Sequence, residues 1–177
     1  MAVFLKATQG TGYLDPTFKD RSAQARDAGL MVAAFHFLEA DSSGIDQAHW
    51  FLEHTHGVVP VLAADWELDN GVLPSVELLS AFLRELLGTG KSVGLYAGFS
   101  NFEDHFEEFD AVCQLAFLWL AKYGPAPTIP IGKWTTWTFW QWTDGKSNNP
   151  IAVDGYGFVD RDKFNGDEDG LRRIWHP

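Results

Sequence analysis

Val58-Val59-Pro60-Val61-Leu62-Ala63-Ala64-Asp65-Trp66-Glu67 is an apolar run that stops abruptly at two acids. Runs of about 4–8 apolar residues bounded by turn signals mark strands buried on both faces, as in a parallel sheet or barrel. The run therefore predicts a buried strand with the acids at its C-terminal end. Side chains alternate along a strand, so Asp65 and Glu67 point to one side, with Cα atoms roughly 6.6 Å apart, and Trp66 points to the other. Two carboxylates so placed repel each other, and partial burial raises the pKa of a Glu, which suits a proton donor near neutral pH. The plainer reading is a strand that runs out into an acidic surface loop, since Asp69 and Asn70 follow directly. The rest of the chain has to decide between the two.

With 177 residues, 46% of them hydrophobic, the chain is long enough for one domain with a sizeable core. Aromatic residues make up 15% and include 8 Trp, a surplus of the kind that lines carbohydrate grooves, although most of the 14 Phe are accounted for as core. Lys and Arg total 13 against 24 Asp and Glu, a net charge of -11, which excludes a basic nucleic-acid surface and would repel a polyanionic wall at long range. Cys113, the single cysteine, sits in an apolar run and is expected to be buried packing; no Cys/His group has zinc-ligand spacing, and no cofactor is expected. The N-terminal stretch lacks the pattern of a signal peptide and no run approaches a membrane span, so a soluble chain with no membrane partner is expected.

Strand-like and helix-like segments alternate over the first two thirds. Ala2 to Ala7 reads as a short buried strand leading into Thr8-Gln9-Gly10-Thr11-Gly12, which has neither the lysine nor the spacing of a phosphate-binding loop. Thr17 to Ala28 reads as a helix with Gly29 as its C-cap, and Met31 to Phe37 as a strand ending near His36. Ser42 or Ser43 caps a helix running to about His54, in which His49 and His54, like His56 after it, are ordinary packing or solvated residues. Pro74 to Leu87 is an amphipathic helix, Val93 to Gly98 a strand, Asn101 to Phe109 a short acidic helix, and Leu115 to Tyr123 a strand with Trp119, Ala121 and Tyr123 on one face. After a loop containing Pro125, Pro127 and Pro130, the texture turns to strands at Thr135 to Thr143 and Phe158 to Phe164, then a helix around Glu168 to Ile174. Such alternation predicts an α/β fold with a parallel sheet of the kind that closes into a barrel, with an irregular final part. In barrels of this class the functional groups gather at the C-terminal strand ends, where Gln9, His36, Asp65, Glu67, Tyr96, Tyr123, Gln141 and Asp160 all fall.

The ordered series KATQG, Tyr13-Leu14-Asp15-Pro16-Thr17-Phe18, DAGLMVAAFHF, VLAADWE, GLYAG, LWLAKY, WTFWQWT and VDRDKF resembles glycoside hydrolase family 25, the lysozymes that cut bacterial peptidoglycan. The likeness runs from about residue 3 to residue 164. It implies an irregular (β/α)5(β)3 TIM-like barrel and hydrolysis of the β-1,4 bond between N-acetylmuramic acid and N-acetylglucosamine. By the same resemblance Glu67 matches the general acid and Asp65 the acid beside it. Asp160 matches a further carboxylate in the groove, and His36, Tyr96, Trp119, Tyr123 and Gln141 line the site. The resemblance also implies use of the substrate's own N-acetyl oxygen with retention, which leaves Asp65 an orienting and charge-stabilising role.

Two departures accompany the likeness. The family opens with a strand carrying an Asp-x-Ser type motif, whereas this chain starts at what resembles the second strand, so a barrel lacking its first strand is expected, with open edges to be covered by the chain itself or by another chain. Gln9 also stands where the family's KATEG motif has Glu. A catalytically impaired relative that binds cell-wall glycan or serves as a structural module therefore stays open beside the active enzyme, as does a chitinase-like enzyme with a similar Asp-x-Glu strand end.

Overall fold

The computed structural model describes the chain except residues 106, 110, 128–133, 147–149, 151, 156 and 177. In order, the elements are β1 (Ala2–Gln9), β2 (Tyr13–Leu14), α1 (Phe18–Asp27), β3 (Met31–Phe37), α2 (Gly44–Thr55), β4 (Val61–Asp65), α3 (Val76–Leu87), β5 (Ser92–Gly98) and α4 (Phe99–His105). A 3-10 turn (Cys113–Leu115) leads to β6 (Phe117–Ala121), β7 (Phe139–Thr143), β8 (Ala152–Val153), β9 (Gly157–Phe158), β10 (Arg161–Phe164) and α5 (Glu168–Trp175). Eight strands form one sheet in the order β10-β7-β6-β5-β4-β3-β1-β2. β1, β3, β4, β5, β6 and β7 are parallel, while β2 and β10 are antiparallel at the edges. The parallel α/β sheet is as the alternation predicts.

The sheet is rolled. β1 and β6 lie four strand steps apart, roughly 19 Å in a flat sheet, yet the Phe4 ring centroid is 4.2 Å from that of Trp119 and 5.2 Å from that of Phe139 on β7. Only a sheet curled about these rings brings them together. The concave face holds Ala33, Val61, Ala63, Tyr96, Trp119 and Phe139, with Trp175 of α5 packed among them. Trp175 also donates from its indole N–H to the Val32 carbonyl at 2.9 Å, so α5 seals the end of the interior opposite the acids. The convex face carries a larger core, in which Leu79, Phe82, Leu83 and Leu86 of α3 and Phe51 of α2 pack on Val32, Ala34, Leu62 and Leu95.

The barrel is not closed by backbone pairing among the described residues: β10 pairs with β7 alone, and β2 covers β1 only at Thr8 and Gln9.

Local signals explain the helix ends. Ser43 and Ser75 accept from the Asp46 and Leu78 amides, and Asp167 caps α5 through Gly170, satisfying amides that the first turn leaves free. Gly29 takes φ +77 just beyond α1, the left-handed turn that ends a helix. The structure differs from the expected boundaries in places. The acidic helix starts earlier, at Phe99, and runs to His105. The strand expected from Thr135 begins at Phe139, because Trp134 turns its indole N–H to the Ala116 carbonyl and Thr136 binds the Asn165 side chain. The strand expected over Phe158 to Phe164 is broken, its first residue belonging to the separate β8–β9 hairpin. Pro130 lies outside the described residues. Cys113 is buried, as expected.

Candidate active site

β4 delivers both acids. The ladder continues past its end, with the Trp66 amide bonded to the Tyr96 carbonyl at 2.9 Å and the Leu38 amide to the Asp65 carbonyl at 3.0 Å. Trp66 turns outward, packing on Phe102 and Phe109 and donating to the Pro74 carbonyl at 2.7 Å. With Trp66 anchored on the convex side, Asp65 and Glu67 face the concave side. Asn70 and Gly71, both with positive φ, then reverse the chain between paired Asp69 and Val72, which keeps the acids at a strand end instead of in an extended loop.

The two carboxylates occupy different depths. Asp65 is buried and its Oδ1 has no hydrogen-bond partner among the described residues. Glu67 is half-buried and lines an open cleft of about 320 Å³ with Tyr96, Gly98, Phe99, Ser100, Ala121 and Tyr123. Burial, then repulsion from Glu67, holds the Asp65 pKa well above the usual carboxylate range, with Lys6 partly offsetting and Asp160 adding to the rise. Burial and the charge of Asp160 raise Glu67 as well. The two acids therefore titrate as a pair that holds a proton above the pH at which an isolated carboxyl would lose it.

The wall beside Glu67 is a hydrogen-bonded set. Gln141 Oε1 accepts from the Tyr96 hydroxyl at 2.9 Å and from the Tyr123 hydroxyl at 3.2 Å, which fixes both rings. Trp119 packs edge-on against Tyr96, with centroids 4.7 Å apart, beneath the cleft. Asp160 is close enough for its charge to raise Asp65, Glu67 and Tyr123. Of the residues picked from the sequence, the structure thus brings together Asp65, Glu67, Tyr96, Tyr123, Gln141 and Asp160, with Trp119 as the floor. Gln9 lies on the other flank, paired in register with Phe37, which is itself paired with Asp65.

His36 is a correction. It sits on the convex side of β3, stacked on Phe82 at 4.9 Å and bonded to Thr8 Oγ1 and Gln47 Oε1. Gln47 spends its amide N–H groups on the Glu39 and Ser42 carbonyls, so its oxygen must accept, and His36 donates from Nε2 while Nδ1 accepts from the Thr8 hydroxyl. Burial pushes this neutral ring down to about 4. Alternation excludes His36 from the groove, because its neighbours Phe35 and Phe37 hold the concave positions. Its role is structural.

Three groups escaped the sequence reading. Asp162 accepts from the Trp119 indole at 2.6 Å, and burial, partly offset by that bond and increased by Asp160, pushes its carboxyl up to about 6. Its position two residues after Asp160 on a strand was a usable signal. Lys6 places its ammonium over the Phe37 ring at 4.8 Å and donates to Gln9 Oε1. A lysine inside an apolar strand marks such a position. Glu39 accepts from Gln9 Nε2 at 2.7 Å, a contact 30 residues apart that no local pattern announces.

The family model for glycosyl hydrolases family 25 matches residues 1–151. The chain belongs to that family. Among its relatives is Lysozyme M1 of Streptomyces globisporus, 29% identical over 92% of this chain and 59% of the relative. The autolytic lysozyme of Clostridium acetobutylicum is also 29% identical, over 92% of this chain and 48% of the relative. The chain thus spans about half to three fifths of the length of these two proteins. Of solved structures, a bacterial lysozyme from Streptomyces coelicolor superposes with TM-score 0.82 at 27% identity, covering 98% of this chain and 85% of the other. A family GH25 lysozyme from Aspergillus fumigatus gives 0.80 at 25% identity, covering 98% and 87%. The rolled α/β sheet is the fold of these family 25 lysozymes.

Proposed function

We propose that this chain is a peptidoglycan hydrolase that cuts the β-1,4 bond between N-acetylmuramic acid and N-acetylglucosamine, with Glu67 as general acid and Asp65 assisting. The observation that carries the reading is the difference in depth. Glu67 reaches an open cleft with its pKa raised, while Asp65 lies buried beneath it with one oxygen unpartnered. The family 25 lysozymes among its relatives support the substrate class.

Glycoside cleavage needs a proton on the leaving oxygen and stabilisation of an oxocarbenium-like centre. Glu67 gives its proton to the bridging oxygen as the C1–O bond breaks. With the pair's proton on Glu67 and Asp65 ionised in the substrate complex, the acetamido oxygen of the same sugar closes onto C1, and the Asp65 carboxylate accepts the acetamido N–H at its free Oδ1, which orients that group and offsets the developing positive charge. A water then attacks C1 from the face the leaving group vacated, losing a proton to the Glu67 carboxylate, so configuration is retained. Asp65 does not itself bond to C1, and the spacing of the two carboxyls need not match that of a two-carboxylate mechanism. Gln141 holds the Tyr96 and Tyr123 hydroxyls at the cleft wall, and Asp160 contributes a further carboxylate against the sugar.

The experiment is release of reducing ends from purified peptidoglycan, with borohydride reduction to identify the sugar at the new end. Reduced muramic acid supports the assignment, and reduced glucosamine contradicts it. The second reading, a glycan-binding module without cleavage, draws on Gln9, a neutral amide already engaged by Lys6 and Glu39. It predicts retention of the chain on cell walls with no new reducing ends.

A further inference from the structure

The strand register lays a row of facing residues across the mouth: Tyr13 pairs with Gln9, Gln9 with Phe37, Phe37 with Asp65 and Asp65 with Tyr96. The cleft of Glu67 occupies only the Tyr96 side of this row. On the other side, three strand steps along the rolled sheet from Asp65, the row ends at Tyr13, whose side chain is 45% exposed. An aromatic ring left exposed beside a polar groove is the usual platform for the apolar face of a sugar.

The groups around Tyr13 are held in place. The Lys6 ammonium lies 5.5 Å from the Tyr13 ring centroid and 4.8 Å from that of Phe37, and it donates to Gln9 Oε1. Gln9 Nε2 donates to Glu39 Oε1 at 2.7 Å. The Glu39 backbone is clamped at both ends by the buried Gln47 amide, which accepts from the Glu39 N–H at 2.9 Å and donates to its carbonyl at 2.8 Å. Gly10, at φ +51, leaves the room in which the Glu39 carboxylate rests; a Cβ there would collide with it. Glu39 makes no ion pair among the described residues. A surface glutamate ordinarily samples many rotamers, whereas this one is fixed before any ligand arrives, which lowers the entropy lost on binding.

We propose that Tyr13 and Glu39, linked through Gln9, form a distal sugar-binding subsite that takes an N-acetylhexosamine of the glycan strand beyond the two sugars flanking the scissile bond. The ring stacks on the sugar face, and the carboxylate accepts a hydroxyl or an acetamido N–H. Lys6 and Gln9 act as positioning residues for that carboxylate. The inference rests on the glycan reading above and adds a strand-length preference to it.

The test compares kcat/KM on glycan oligosaccharides long enough to reach from the cleft to Tyr13 with kcat/KM on ones that span the scissile bond only. Tyr13→Ala and Glu39→Gln each lower the value on long strands by about tenfold, the size expected for one sugar contact, and leave the short substrate unchanged. Tyr13→Phe keeps the stacking and restores the long-strand value. No loss on long strands, or equal losses on both lengths, overturns the subsite. If the unmutated chain cleaves neither length, the hydrolase reading falls. Calorimetric binding of the same oligosaccharides to the unmutated chain and to Tyr13→Ala then decides the subsite alone: a length-dependent loss of affinity supports it, and identical affinities refute it.

Discussion

At the scale of single residues, the site is a conflict between stability and chemistry. Asp65 is buried beside Glu67, and its folded-state pKa lies above its unfolded value of about 3.9. The sign follows: the folded state binds the proton more tightly, so stability is lost as pH rises from about 4 through the folded pKa. Asp65→Asn removes that loss. The variant should be more stable than the parent by about 1 kcal/mol at pH 7, the usual gain from relieving a strained functional site, with the advantage vanishing toward pH 4, and it should hydrolyse glycan poorly. Urea unfolding of both chains at pH 7, 5.5 and 4 checks this; a constant or inverted difference contradicts it. The acids themselves were legible from alternation at the end of an apolar run. His36 was misplaced because being at a strand end says nothing about which face a residue takes, and here the phase of β3 gives Phe35 and Phe37 the concave positions. Glu39 was invisible because what fixes it is tertiary: Gln47 from α2 and Gln9 from β1.

At the scale of elements, α2 and α3 are packed by backbone approach as well as by side chains. Gly44 opens α2 against α3, and a Cβ there would run into the Leu78 carbonyl. Gly44→Ala should therefore destabilise the fold by about 1–3 kcal/mol, as overpacking does, despite alanine's better helix propensity. Thermal unfolding measures it, and a stabilised variant would show that the helices part freely. Helices α1, α2, α3 and α5 could be read from caps and apolar spacing within a residue or two. The β8–β9 hairpin could not, because two-residue strands carry no periodicity. The rolling of the sheet was likewise only implied by strand and helix alternation, since curvature arises from contacts such as Phe4 on Trp119 that join opposite sides.

At the scale of the whole molecule, net charge and mouth have the same sign. The chain carries -11, and Asp65, Glu67, Asp160 and Asp162 crowd one opening near Lys6. A polyanionic wall is repelled on approach at low salt. Raising the ionic strength from 0.01 to 0.15 M shortens the screening length from about 30 to about 8 Å, so wall-clearing rates should rise several-fold over that range. A rate that falls with salt would place attractive charge at the interface instead.

Glu67 as proton donor is the claim on which the chemistry turns, and leaving-group dependence tests it most directly. An aryl glycoside with an acidic phenol departs without protonation, whereas a sugar hydroxyl does not. Glu67→Gln should lose about 10²–10⁴-fold on the natural β-1,4 bond, the range for one general acid, while keeping most of the bond-breaking rate on the activated aryl substrate. Equal losses on both substrates, or no loss on either, would contradict the assignment.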